Sequence, residues 1–380
     1  MRFKEFQGEW EIVKLKNIVQ KVSEKNKENK IDIVFSNSAT KGIVLQTEYF
    51  DKNIANKDNL CGYYIVTPND FVYNPRISSN AEVGAMSVNH TELTGLVSPL
   101  YTVFRIINVD IDTLFLEYIF KSKVWHNYMR SIASYGARDD RMNVKDVAFF
   151  DLPLCMPLIR EQRKIASLLF LIDERISTQI KIIEKYESLI KGITERLFSQ
   201  KIRFKNSDGE YFPNWESKKL GEISTITTGS SNREDSILDG EFIFFDRSQD
   251  IRTSNRYLFD KEAIIIPGEG QEFKPKYYTG KFDLHQRTYA IFDFVGVVGK
   301  YLYYYVSYED KYLQSQAVGS TVKSLRLPMF QSMPIKLPCI EEQTLIKKFL
   351  SHIEEKIKTE KQFLDKLEKQ KRYLLQQMFI

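Results

Sequence analysis

Apolar residues recur at alternating steps of four and three along the stretch 161–199: Ile165, Leu169, Ile172, Ile176, then Gln179, Ile183, Tyr186, Ile190, Ile193 and Leu197. A spacing that averages about 3.5 residues predicts a coiled-coil seam, narrower than the apolar stripe of a helix lying on a globular core. One helix cannot bury such a seam alone. The chain supplies a second: Ile346, Leu350, Ile353, Ile357, Glu360, Leu364, Leu367, Lys371, Leu374 and Met378 repeat the stepping, and Glu360 stands in the series where Gln179 does. Two long helices of one chain, zipped antiparallel, are therefore expected. Ile165, Leu169, Ile172, Ile176 and Ile183 would form one side of the interface, and Ile346, Leu350, Ile353, Ile357 and Leu364 the other.

Both helices have the same lead-in. Pro153, Pro157, Glu161 and Gln162 before the first align with Pro334, Pro338, Glu342 and Gln343 before the second. Proline is tolerated only in the first turn of a helix, and an acid just after it meets the positive end of the helix dipole, so each lead-in predicts an extended approach followed by an abrupt helix start. A further pair of matching segments lies upstream: Trp10, Leu15 and Ile18 keep the spacing of Trp215, Leu220 and Ile223. The chain is thus a duplication, with each copy running from lead through a variable region to a long helix.

The variable regions mix short β-rich runs with turns. In the first, residues 63–66, 71–73 and 101–107 read as strands and 113–129 as a helix; in the second, residues 241–245, 263–267, 289–292 and the aromatic run 301–306 read as strands. The expected fold class is α+β: two similar domains of mixed structure, internally duplicated with a pseudo-twofold relation, separated by the antiparallel helices. The expected boundaries are 1–152 for the first domain, 153–200 for the first helix with its proline lead-in, 201–214 for a linker, 215–333 for the second domain and 334–380 for the second helix.

Composition narrows the class. The chain is 380 residues long and 43% apolar, enough for two domains with cores. No apolar run approaches the roughly 20 residues of a membrane span and no secretory signal opens the chain, so a cytoplasmic location is expected. Three cysteines far apart, Cys61, Cys155 and Cys339, fit a reducing compartment and form no zinc motif. The four histidines, His90, His126, His285 and His352, are not at ligand spacing, so no metal site is expected. Catalytic signatures are missing too. The segment Gly296 to Lys300 has the wrong spacing for a phosphate loop, and Asn74-Pro75-Arg76 lacks the second proline and aromatic of an aminomethyltransferase motif.

Binding chemistry remains. Net charge is +5, informative only if the basic residues gather on one surface. Asn74, Arg76, Arg105, Arg138 and Arg141 lie in or beside expected loops of the first domain, where Arg and Asn pair with guanine and adenine edges. Arg247, Arg252, Arg256, Lys274, Lys276, His285, Arg287, Lys323 and Arg326 are the counterpart set in the second, interleaved with Tyr257, Phe273, Tyr277 and Tyr278; Arg247, Lys274, Lys276, Arg287 and Lys323 are the binding candidates among them. For any one of them the plain alternative is a solvated surface charge.

Two variable domains, each followed by the Pro, Pro, Glu-Gln lead-in and a long helix, resemble the specificity subunit of type I restriction-modification enzymes. The resemblance spans the chain and extends to the segments 70–76, 98–105, 136–144 and 319–323. It implies a non-catalytic subunit whose two target-recognition domains each read half of a split, asymmetric double-stranded DNA site, while the helices set the gap and bind two methyltransferase subunits, with restriction subunits joining the complex. It also implies that the chain itself uses no cofactor; S-adenosylmethionine, ATP and Mg would serve the partner subunits. A stand-alone DNA-binding regulator or coiled-coil scaffold without methyltransferase partners stays open as the alternative.

Overall fold

The computed structural model describes residues 2–49, 57–135, 140–248 and 250–379. The chain divides into two compact units, Met1–Gln179 with Phe363–Ile380, and Ile180–Gln362. Each unit holds one variable region, the start of one long helix and the end of the other.

In the first unit the lead strand Glu11–Lys14 pairs antiparallel with the lead-in strand Pro153–Met156, in register Lys14 to Pro153. A four-stranded antiparallel sheet follows, in the order Val19–Val22, Thr102–Ile106, Phe71–Asn74, Ala85–Val88. Side chains alternate across it. Phe71, Tyr73 and Phe104 join the main core with helix α1, Thr113–Lys121, while Val72 and Val103 pack on the opposite face against Phe35, Val66 and Val97.

Helix α1 begins where Asp112 accepts the backbone N–H of Phe115 at 2.9 Å. The sequence predicts one helix over 113–129; the structure has two, the second being His126–Ile132. The break follows from side chains that take the carbonyls. Ser122 Oγ donates to the Ile119 carbonyl and the indole N–H of the buried Trp125 to the Phe120 carbonyl, which a continuing helix would give to residue 124.

The second unit repeats the frame. Strand Glu216–Lys219 pairs with Pro334–Leu337 in register Lys219 to Pro334. Its sheet is larger: six strands in the order Thr225–Thr228, Thr288–Phe292, Phe259–Pro267, Lys276–Leu284, Phe242–Phe245, Arg252–Ser254, with one parallel pairing between Phe242–Phe245 and Lys276–Leu284. The units are alike in frame and unlike in sheet. The aromatic run at 301–306, expected as a strand, is instead part of helix α3, Gly299–Tyr308. Tyr301, Leu302, Tyr305 and Val306 lie on one face at helical spacing and are buried in the main core, so packing overrides the β preference of tyrosine and valine.

The long helices are α2, Ile159–Phe198, and α4, Ile340–Met378. In the first unit Ile165, Leu169 and Ile172 of α2 share a core with Leu374 and Met378 of α4, and Asp173 pairs with Lys371 at 2.5 Å. In the second, Leu197 and Phe198 share a core with Ile346 and Leu350, and Glu187 pairs with Lys361. Rising numbers in one helix meet falling numbers in the other, so the pairing is antiparallel in each unit. Ile176 packs on the first core; Ile183 and Gln179 are buried, while Ile353, Ile357 and Leu364 are half-buried.

The lead-in residues explain how each helix grips its domain. Gln162 accepts the Asp112 N–H at 2.9 Å, and its amide donates to the carbonyls of Asp110 and Pro157. Gln343 accepts the Val298 N–H at 2.8 Å and donates to Gly296 and Pro338. One glutamine amide thus satisfies the first orphan N–H of α1 or α3 and, at the same time, the proline carbonyl that precedes its own helix. The preceding glutamates are buried and each meets an arginine from upstream of the lead: Arg2 with Glu161, and Arg203 with Glu342. Trp10 and Trp215 are half-buried and edge-on to Phe115 and Tyr301 in turn.

Candidate nucleic-acid interface

The same hydrogen-bonded corner recurs in both units, formed by the end of a central strand and a loop that returns to it. In the first unit the N–H of Met142 donates to the Pro75 carbonyl, the N–H of Ile77 to Asp140, and Arg76 bridges Arg141. In the second the N–H of Leu325 donates to the Gly268 carbonyl, and Glu269 and Gly270 pair with Ser324 and Lys323. Met142 therefore matches Leu325, both buried, and the Arg76–Arg141 pair matches Glu269–Ser324. One backbone device presents different side chains in the two units.

Around the first corner, Asn74 Oδ1 accepts the Arg76 N–H at 3.1 Å and its amide donates to Tyr101 Oη and to the Asn37 carbonyl. Burial pushes the Tyr101 phenol up, against the pull of Ser36 and of the Arg141 and Arg76 charges. The Arg76 side chain is 66% exposed, with Asp140 at 3.9 Å. Asn74, Tyr101, Arg76 and Arg141 thus form a cationic group whose amide and phenol are already oriented. Tyr101 is not singled out by the sequence reading; its place at the first position of the expected strand 101–107 is the available signal. Arg105 is not brought here. It sits toward the other end of the strand pairing, where Nε and Nη2 hold the fully buried Asp70 at 2.6 and 2.8 Å and Nη2 also meets Thr67. Arg138 lies outside the described residues.

Around the second corner, Glu269 receives both carboxylate contacts of Arg287 Nη1, at 2.8 and 2.9 Å, with Arg247 at 3.6 Å. His285 Nδ1 accepts the Arg287 N–H. Burial holds the His285 imidazole below its ordinary value; Asp246 and Glu269 oppose that, and Arg247 and Arg287 reinforce it. Lys276 Nζ donates to the Ser248 carbonyl at 2.7 Å, and burial lowers its ammonium despite Asp246 and Asp250. Lys323 arrives on a tight turn: Val318 and Ser324 exchange two backbone bonds, and Gly319 has φ +124, with its missing Cβ facing the Val322 carbonyl at 2.3 Å. Lys274 is exposed and paired with Glu272. Arg247, Lys276, Arg287 and Lys323 are thus gathered, with His285 and Glu269 among them.

Among the described residues no group of His, Cys, Asp or Glu is arranged to hold a metal ion, and no helix is long and apolar enough to cross a membrane.

Several known proteins are similar to this chain. Residues 213–369 match the family described as "Type I restriction modification DNA specificity domain". The type I restriction enzyme EcoDI specificity subunit of Escherichia coli is 29% identical over 161 residues, which cover 42% of this chain and 36% of that protein. The MjaVIII specificity subunit of Methanocaldococcus jannaschii is 23% identical over an alignment covering 98% of this chain and 94% of that one. The crystal structure of a type I restriction-modification S subunit from M. genitalium superposes with a TM-score of 0.63 at 16% identity, covering 100% of this chain and 99% of that chain. The fold is shared with that S subunit over the whole chain. The chain is similar along its length to specificity subunits of type I restriction-modification systems, and the matched specificity domain lies in residues 213–369.

Proposed function

We propose that the first unit reads one half of a split, asymmetric DNA sequence and the second unit the other half, and that the chain delivers this choice to methyltransferase subunits without reacting itself. The observation that carries the proposal is the repeated corner, where equivalent backbone holds Arg76 and Arg141 in one unit and Glu269 and Ser324 in the other, with Arg287 on Glu269 and Lys323 beside Ser324. A common frame with different exposed donors is what two unequal half-sites need, since bidentate Arg and Asn contacts distinguish bases in the major groove whereas lysines hold phosphates. The recognition domains are assigned to 1–152 and 215–333, and the DNA contacts to Asn74, Arg76, Arg138 and Arg141 in the first and Arg247, Lys274, Lys276, Arg287 and Lys323 in the second. Arg105 acts there by fixing the Asp70 turn.

The long helices carry the partners. Phe170, Leu171 and Phe363 in the first unit and Phe349 in the second are large apolar side chains left exposed on α2 and α4, a surface suited to helices of two methyltransferase subunits. Restriction subunits join the same complex. Those partners use S-adenosylmethionine, ATP and Mg, this chain uses none, and the complex works in the cytoplasm on chromosomal DNA. The test is reconstitution. The purified chain alone transfers no methyl group, whereas the chain with its modification subunit and S-adenosylmethionine methylates adenines of one split site; methyl transfer by the chain alone, or by the mixture at a continuous site, refutes the proposal.

A further inference from the structure

Each domain helix touches its long helix at a second point, and the two units do this in the same register. Tyr118 of α1 donates its hydroxyl to Asp173 at 2.8 Å, and Tyr304 of α3 donates to Glu354 at 2.7 Å. Tyr118 lies six residues after Asp112 and Asp173 eleven after Gln162; Tyr304 lies six after Val298 and Glu354 eleven after Gln343. The contact is therefore a duplicated device. Each carboxylate also carries a lysine, but from different elements: Lys371 of α4 at 2.5 Å from Asp173, and Lys300 of α3 at 3.1 Å from Glu354. Lys300 is held there by the rings of Tyr303 and Tyr277, 4.3 and 4.6 Å from its Nζ. The acid is satisfied in both units although its cation has moved, so the tyrosine-to-acid bond is the shared part.

Two anchors constrain a helix as one does not. The glutamine bond at the start of α1 or α3 is a pivot; the tyrosine bond, about 9 Å further along that helix and about 16 Å further along the long one, fixes the angle about it. Burial and the adjoining carboxylate push both phenols far above the ordinary tyrosine value, so each stays a donor across the working pH range.

We propose that Tyr118 and Tyr304, through Asp173 and Glu354, are positioning residues that set the angle of each recognition domain on its helix pair and so restrict the complex to one gap length between half-sites. The inference rests on the split-site reading above. A charge-assisted hydrogen bond available in one orientation only discriminates by about 10- to 100-fold.

The experiment uses the full chain with its modification subunits on duplexes carrying both half-sites at the native gap or at gaps one base pair shorter and longer. Wild type methylates the native gap alone. Tyr118→Phe and Tyr304→Phe raise methylation of the altered gaps relative to the native one by about tenfold, with both half-site sequences still required. Asp173→Asn and Glu354→Gln, which keep an acceptor for the phenol, retain the wild-type gap preference, whereas Asp173→Leu and Glu354→Leu broaden it even if the phenylalanine variants fold poorly. An unchanged gap profile in the leucine variants, or loss of half-site discrimination in place of gap discrimination, overturns the inference. Failure of wild type to methylate any split site would instead remove the functional reading beneath it.

Discussion

Arg203 grips Glu342 with two nitrogens, Nη2 at 2.7 Å and Nε at 3.1 Å, and the glutamate is fully buried. Trp215 Nε1 donates to the same carboxylate at 3.0 Å, and Arg203 also donates to the carbonyls of Phe212 and Pro213. The lead, the linker and the start of α4 are thereby tied at one carboxylate, which in turn raises the guanidinium above its usual value through the hydrogen bond. Arg203→Met should cost about 3 kcal/mol, because it leaves a buried charge with a single donor. Denaturant unfolding of the second unit's signal measures this, and the corresponding Arg2→Met, at a more exposed arginine, should cost less.

The two corners should act independently. Alanine at Arg76 or Arg141 is expected to cost about 1 to 3 kcal/mol of DNA binding and to relax one position of the first half-site only. Alanine at Lys276 or Lys323 should weaken all sequences alike and flatten the salt dependence by about one unit. Arg105→Ala should destabilise the first domain instead, since it leaves the buried Asp70 carboxylate with only the Thr67 N–H and hydroxyl as donors and no cation. Competition binding by the complex against substituted half-sites separates these outcomes.

Acid should weaken the fold through two histidines. Burial lowers both His126 and His285 in the folded state, so the unfolded chain binds more protons in the window below about 6.5. Stability is full above that value and falls as pH drops toward the folded-state pKa values. His285→Gln should remove part of this loss from the second unit, read as a smaller drop in unfolding midpoint between pH 7 and pH 5.5. An equal drop in the variant would show that carboxylates carry the acid sensitivity.

The helices are expected to act as a ruler. A four-residue insertion after Gln179, matched by one near Glu360, adds about 6 Å to each helix and turns its distal part by roughly 40°. The gap between half-sites should grow by one or two base pairs while both half-site sequences persist. A changed half-site with an unchanged gap would mean that the helices help to read bases.

Much of this was legible from spacing. The duplicated lead, the proline lead-ins and the four-three stepping all correspond to elements at matching places, because those patterns reflect backbone geometry and burial that act locally. The aromatic run at 301–306 was not legible: tyrosine and valine favour strands, and only the core around Tyr301 and Tyr305 makes the segment a helix. Nor was the role of the glutamine, since the bond from Gln343 to Val298 joins residues 45 apart. At the two corners, residue type pointed to Arg76 and Arg141 but equally to Arg105. Nothing in its neighbours announces that Arg105 faces a buried aspartate 35 positions away.

The most direct test of the account is methylation mapping of a genome in cells carrying this chain with its modification subunit, beside cells carrying the Arg141→Ala and Lys323→Ala variants. The account predicts one split, asymmetric adenine-methylated motif that vanishes without this chain. In the first variant only one half relaxes, and in the second both halves persist at lower occupancy. A symmetric or continuous motif, or one that survives deletion of the chain, would contradict it.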